Sequence, residues 1–330
     1  MTNTRKEDEG QIITFGINEE VTEQNIYEML GFQWDGGHDL YYRQPYNYWK
    51  LHLASMGAAL HETSLNFKTR FATSYFESNT YLRKSEFKKF FYDYMIFGHA
   101  YLAINKARLG NVLSLSHLPS FYMRVGKQGG AYLVNPAELN EPKYFPDVLI
   151  QKNYDPSQTI YGKPDYLSAL PSVSLNQNAT AFRIRYYKNG SHAGFILSVN
   201  GKISDDLFNN IKKTLKQSKG DGNFKNLLIN MPEGNKDSVQ LIPIADIGAK
   251  DEFNLIKRAT DRDINAIHRV PPIFMGIAPE NAGGFGKPEE YLETFYNNEM
   301  LPIFSELEDL NDDLGVKAFV FREYSKKEDI

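Results

Sequence analysis

From Tyr42 onward apolar side chains recur at helical spacing, and Leu51, Leu53, Met56, Ala59 and Leu60 predict a buried stripe through about residue 62. Ser85 is placed to cap a second helix, with Phe87, Phe90, Phe91, Tyr94 and Met95 on its core face and Gly98 at its end. Alternation then replaces that period. Ala100 to Asn105 and Val112 to His117 read as strands, and Arg108-Leu109-Gly110-Asn111 between them reads as a hairpin turn. Short strands and turns continue to about Tyr161, so residues 31–162 form one α+β unit. Residues 1–30 stand apart as a flexible N-terminal arm, the first 20 being polar and mixed in charge.

The period lengthens after that unit. Pro164 and Asp165 open a helix over 163–189 whose one face carries Leu167, Leu170, Val173, Ala179 and Phe182, and Arg183, Arg185 and Lys188 load its last turns with cations. At 1.5 Å per residue such a helix spans roughly 38 Å, long for a compact domain. Residues 190–245 read as a small α/β module: a strand from Phe195 to Val199, a helix from Ser204, and strands from Leu227 to Met231 and from Val239 to Ile244. The helix is acidic first and basic later, with Lys212, Lys213 and Lys216. That pattern fits either dipole complementation on a solvated face or contact with phosphate or an acidic partner. A second long helix is predicted over 246–270, with Phe253, Ile256, Ile264 and Ile267 on one side and Lys257, Arg258, Asp261, Arg262 and Asp263 crowding the other. A third runs over 289–314, apolar at Leu292, Phe295, Ile303, Phe304, Leu307, Leu310 and Leu314. Pro302 should bend it, Gly315 should end it, and 317–324 alternates like a final strand.

Between the second and third helices lies Pro271 to Pro288, on which the other elements are organised. Pro271 and Pro272 cannot continue a helix and Pro288 can begin one. Asn281, Gly283, Gly284 and Gly286 lower the cost of unusual dihedrals around Phe285 and Lys287. Two readings stand: Phe285 tucks into the core, or the loop offers an aromatic face and a cation to a passing polyanion. A nucleotide-binding phosphate loop is excluded by Asn281 and Pro288, which replace the required Gly and Ser or Thr. A module inserted between two long helices buries little surface within one subunit. It makes sense if the helices pack against copies of themselves, and a head-to-tail contact that closes gives a ring.

Composition narrows the chemistry. The 330-residue chain can bury roughly 75% of its unfolded surface. Its aromatic share of 14% is high, which hints at self-association, since aromatics are enriched at interfaces. No cysteine is present, so disulfides, thiolate zinc sites and cysteine nucleophiles are excluded together. No apolar run is long enough to span a membrane, and no signal peptide opens the chain, so a soluble protein without a membrane partner is expected. A net charge of −4 argues against tight, sequence-blind DNA binding, although not against a surface DNA slides past. The histidines show no ligand spacing, and His268 reads as a hydrogen-bonded residue at a helix end. Glu306, Glu308, Asp309, Asp312 and Asp313 fall between apolar positions, as on a solvated face, rather than forming a two-metal site. Neither a catalytic residue, a metal site nor a cofactor is expected.

Several segments carry a family resemblance. Tyr161-Gly162-Lys163-Pro164-Asp165-Tyr166-Leu167-Ser168-Ala169-Leu170 and Phe182-Arg183-Ile184-Arg185-Tyr186-Tyr187-Lys188-Asn189-Gly190-Ser191-His192-Ala193-Gly194-Phe195 bracket the first long helix. Ala249-Lys250-Asp251-Glu252-Phe253, His268-Arg269-Val270-Pro271-Pro272 and Asn281-Ala282-Gly283-Gly284-Phe285-Gly286 follow in order. Together, over about Tyr41 to Tyr324, the chain resembles the portal proteins of tailed bacteriophages, in the branch typified by phage P2 and the defective Bacillus prophage PBSX. Lys287 departs from the acidic residue expected after Gly-Gly-Phe-Gly, and Asp312 from an expected aromatic.

The resemblance implies a dodecameric ring at one capsid vertex, in the virion after assembly in the host cytoplasm, through which double-stranded DNA is packaged and ejected. It implies an α+β portal fold: a wing over 31–162, stem helices over 163–189 and 246–270, and a clip over 190–245. A tunnel loop over 271–288 and a kinked wing helix with a C-terminal strand over 289–330 complete it. Arg183, Arg185, Lys188, Phe253, Ile256, Arg258 and Arg262 would belong to the stem, Lys212, Lys213 and Lys216 to the clip, and Asn281 to Lys287 to the DNA channel. Implied partners are further copies of the chain, DNA, the terminase large subunit, major capsid and scaffold proteins, and a head-completion protein. Two other classes remain to be separated from it: another ring or adaptor of the virion, and a DNA-processing enzyme that would cleave DNA or hydrolyse nucleotide.

Overall fold

The computed structural model describes residues 11–15, 38–135, 141–188, 195–200, 209–210, 226–231, 239–243, 249–277 and 287–325. The chain divides into two compact units, one of residues 1–23 and 177–259, the other of 24–176 and 260–330. The division falls inside both long helices.

The larger unit is built on three helices, α1 (Tyr48–Ser55), α2 (Ala59–Tyr75) and α3 (Lys84–Phe97). The single stripe expected through residue 62 is in fact two helices. Backbone bonds from Met56 to Leu53 and Gly57 to Ala54 close the first, and Leu53 and Met56 are exposed instead of buried. The second then continues to Tyr75, well beyond the expected end, because Leu65, Ala72 and their neighbours keep one face buried. Ser85 is not the cap of α3. Arg83 takes that position, and the Ser78 hydroxyl accepts the Lys84 amide at 3.2 Å from six residues back. Gly98 ends the helix at φ 72°, and a side chain there would collide with the Lys163 backbone at 2.2 Å. Gly162 faces it, its missing Cβ 2.0 Å from the Gly98 oxygen. Two glycines thus set how closely the start of the long helix approaches the end of α3.

Strand β2 (His99–Lys106) follows and pairs antiparallel with β3 (Val112–Leu118) and, on its other side, with β7 (Val148–Lys152). The hairpin at 107–111 is as expected: the Ala107 amide donates to the Asn111 oxygen at 2.8 Å, with Gly110 at φ 93°. A second three-stranded sheet consists of β4 (Met123–Val125), β5 (Ala131–Leu133) and β6 (Lys143–Phe145). The core explains much of the aromatic share. Phe76 stacks on Phe87 with centroids 4.1 Å apart, Phe304 stacks on Phe321 at 4.2 Å, and Phe90, Phe91 and Phe319 are fully enclosed around them. Those rings are spent on the chain's own interior.

A 3-10 turn, Asp165–Ala169, leads into α4 (Leu170–Lys188), and α5 (Ala249–His268) returns. The bent helix is α6 (Pro288–Phe295), a π-helical turn at Tyr296–Met300 and α7 (Leu301–Leu314), with Pro302 in the first turn of α7. The wider turn fits the proline, which has no amide to give to the ladder and would clash with the carbonyl four residues back. Gly315 caps α7 at φ 65°. The strand expected over 317–324 does not form. The Asn311 side chain binds the backbones of Ala318 and Phe319 at 2.7–2.9 Å, and only a bridge from Phe321 to Phe76 remains.

The smaller unit holds a four-stranded sheet in the order β1 (Gln11–Phe15), β9 (Asn226–Met231), β8 (Phe195–Asn200), β10 (Val239–Pro243). β8 and β9 are parallel and the other pairs antiparallel. A parallel pair needs a crossover, and residues 209–210 on that crossover are helical, where a helix was expected. Residues 11–15 correct the expectation of a flexible arm: Gln-Ile-Ile-Thr-Phe is rich in β-formers and pairs along β9 from Gln11–Asn230 to Phe15–Asn226.

Candidate functional site

Within the larger unit the facing ends of α4 and α5 pair. Val173 and Ile264 are buried together with Ala58, and Leu60 packs against them. Polar groups set the register. The buried Asn176 amide donates to Thr260 Oγ1 at 2.7 Å and Asp261 Oδ1 at 2.9 Å, and Ser172 donates to Asp263 at 2.9 Å. A buried amide with both donors satisfied favours one alignment of two helices over slipped ones. The helices also carry apolar side chains left in solvent: Leu175, Ile184 and Leu255, the last 64% exposed.

The end of α5 is tied inward. His268 Nε2 lies 2.7 Å from His61 Nδ1, both rings are buried, and Tyr166 packs edge-on against His61. Burial pushes the pKa of His61 down to about 4, and burial together with the neighbouring His61, Lys68 and Arg269 pushes that of His268 to about 2. The pair is therefore neutral at physiological pH, which makes His268 the hydrogen-bonded helix-end residue expected of it. The cavity beside it, lined by Leu65, Lys68, Tyr94, Tyr166 and His268 among others, is about 10 Å³, room for one water at most.

Arg269 follows with φ 54°, the single non-glycine at positive φ among the described residues. Its guanidinium is bonded to Glu299 through Nε and, at 3.3 Å, through Nη2, and Asp165 lies 3.7 Å away. Lys68, buried like Glu299, donates to the same carboxylate. Burial works against the Glu299 charge, but Lys68 and Arg269 outweigh it and hold the carboxyl below its usual range. Past Arg269 the chain makes a 3-10 turn at Pro272–Met275, where Phe274 stacks on Phe67 at 5.4 Å, and turns at Gly276, φ 71°.

Of the loop residues proposed from sequence, Asn281, Gly283, Gly284, Phe285 and Gly286 lie outside the described residues. Lys287 is exposed at the N-cap of α6. A cation there opposes the helix dipole, so Lys287 does not serve the helix it precedes. On the helices, Arg183 and Ile256 are half-buried and Arg258 and Arg262 exposed. The backbones of Arg185, Lys188 and Phe253 are helical, while their side chains, and all of Lys212, Lys213 and Lys216, lie outside the described residues. Sequence reasoning missed Lys68, Asn176, Arg269 and Glu299. A signal for two of them existed. Lys68 lies four residues before Ala72, and Glu299 four after Phe295 and four before Ile303, so both charges sit on an apolar stripe.

Among the described residues no three His, Asp or Glu side chains converge as metal ligands, and Glu306, Glu308, Asp309, Asp312 and Asp313 are exposed. No described helix is long and apolar enough to cross a membrane. An open groove of about 640 Å³ lies elsewhere, lined by Tyr41, Arg43, Tyr48, Trp49, Phe121 and Arg124 among others.

This order of elements, a sheet unit inserted between two long helices, recurs in solved structures. A chain in the virion of a native gene transfer agent particle shares it with a TM-score of 0.60 at 17% identity, over 86% of this chain and 85% of that one. Sequence relatives are nearer. The "Probable portal protein" of Escherichia phage P2 is 34% identical over 86% of this chain and 83% of its own length, and that of Haemophilus phage HP1 (strain HP1c1) is 32% identical over 98% of both. Residues 72–325 match the family described as phage portal protein. The chain belongs to the phage portal protein family, a structural family of the virion whose members serve genome packaging as the head-tail connector.

Proposed function

We propose that copies of this chain close into a ring, a dodecamer, at one capsid vertex, with double-stranded DNA passing through its bore. α4 and α5 form the stem and 271–288 lines the channel. The unit carrying β8 to β10 is the clip, which meets the terminase large subunit during packaging and a head-completion protein afterwards. Residues 31–162 and 289–330 form the wing against capsid and scaffold proteins, and assembly takes place in the host cytoplasm. One observation carries the reading of the stem. The paired helices satisfy the buried amide of Asn176 internally yet leave Leu175, Ile184 and Leu255 exposed. Neighbouring subunits would cover them. The exposed Lys287 fits a weak contact with passing phosphate, since each further cation would tighten a salt-dependent grip.

The test is the particle mass of the purified protein, followed by rotational averaging of electron micrographs with a label at Lys287. The expected result is a ring of about twelve subunits with the label at the bore. A protomer that stays single at every concentration, or a label on the outer perimeter, would overturn the reading.

A further inference from the structure

Two departures from regular backbone meet at one carboxylate. Arg269 stands in the left-handed region at φ 54°, where a side chain is costly and glycine or asparagine is the usual occupant. Glu299 stands in the π-helical turn at Tyr296–Met300, and such turns are inserted single extra residues that recur at functional sites. The Arg269 guanidinium forks onto Glu299, and Lys68 from α2 reaches the same carboxylate from the core side. The two partners are 30 residues apart in sequence, and the glycine-bearing segment lies between them. An arginine held in an unfavourable conformation, aimed at a buried carboxylate in an irregular turn, is better explained as a clasp than as helix termination. The prolines at 271 and 272 already end the helix.

We propose that Glu299 is a positioning residue, a pivot that pins the chain leaving α5 at Arg269 to the π-turn of the bent helix and to α2, and so fixes both ends of the 271–288 segment. The guanidinium supplies direction, because its two donors match the two carboxylate oxygens in one orientation. Lys68 keeps the carboxylate from turning to solvent. The pivot itself stands on the contacts above, and only its consequence for DNA rests on the portal-channel reading.

The test is amide hydrogen exchange on the assembled full chain carrying Arg269→Asn or Arg269→Lys. Asparagine tolerates the left-handed conformation and removes the clasp, and lysine keeps the charge without the fork. Arg269 is half exposed, so its replacement leaves the core intact. In Arg269→Asn, exchange should rise about tenfold at both 269–277 and 296–300 while 84–97 is unchanged, with Arg269→Lys between it and the parent. A merely local effect would leave 296–300 unmoved, and a global one would raise 84–97 equally; either result overturns the pivot. Packaged DNA in particles carrying Arg269→Asn gives a separate arm. Localised exchange with full DNA retention would uphold the pivot and remove the loop from the DNA channel, whereas loss of retention would uphold both.

Discussion

The larger unit and the two long helices solve the same problem differently. In the larger unit nearly every large apolar side chain of α3 and α7 finds a partner in its own chain, from Phe87 against Phe76 to Phe304 against Phe321. Along α4 and α5, Leu175, Ile184 and Leu255 stay about half or more exposed among the described residues. The first region is finished as a monomer. The second has an internal register, through Asn176, and an unfinished outer face. A protein that must be stable before assembly and specific during it needs both.

The comparison can be broken at several points. Phe87→Ala should cost the body about 3–5 kcal/mol, because a fully enclosed ring leaves a cavity that rigid neighbours cannot fill. Chemical denaturation would measure it, and a loss below about 1 kcal/mol would show the body to be loosely packed. Acid should act next. His61 and His268 titrate in the fold at about 4 and about 2, below the usual imidazole value of 6.5, so between these values the unfolded chain binds protons that the folded chain refuses. Stability is then complete above pH 6.5 and falls as pH drops: His61 alone removes roughly 2–3 kcal/mol by pH 4.5, at about 1.36 kcal/mol per pH unit, and His268 and the buried His99 act in the same direction. Denaturant midpoints across that interval check the sign. A flat profile would mean the pair is not held neutral.

Smaller effects separate the helices from the body. Asn176→Ala should cost about 1–3 kcal/mol, since it removes the two hydrogen bonds that its buried amide donates at the helix pairing. Leu255→Asp should change protomer stability by less than about 0.5 kcal/mol, as an exposed position does, and yet abolish ring formation in sedimentation. An intact ring from that variant would place the subunit contact elsewhere. Lys287→Ala should leave both stability and assembly unchanged and alter only packaging or DNA retention, with a weaker dependence on salt. If it prevented assembly instead, the loop would be structural.

What could be read in advance follows from the range of the interactions. The apolar stripe of α3, its stop at Gly98, the hairpin at Gly110 and the stop at Gly315 depend on residues within a turn of one another, and they stand where the pattern put them. Errors arose where a distant group took over a local role. Ser78 replaced Ser85, Asn311 consumed the backbone of the expected last strand, and β9 captured residues 11–15 from an arm that local composition called flexible. The candidate site divides in the same way. His268 was legible as a helix-end hydrogen-bonding group, but its partner His61 lies 207 residues away.

The linear order of stripes, glycines and prolines was enough to define most of the helices, several of the strands and the family, because periodicity and backbone dihedrals are properties of neighbours. Only the folded chain could decide that Lys68 and Arg269 meet at the buried carboxylate of Glu299 and that Asn176 sets the pairing of two helices. A charge on an apolar stripe is tolerable only when its counter-charge arrives from elsewhere, and where elsewhere is cannot be written in a local pattern.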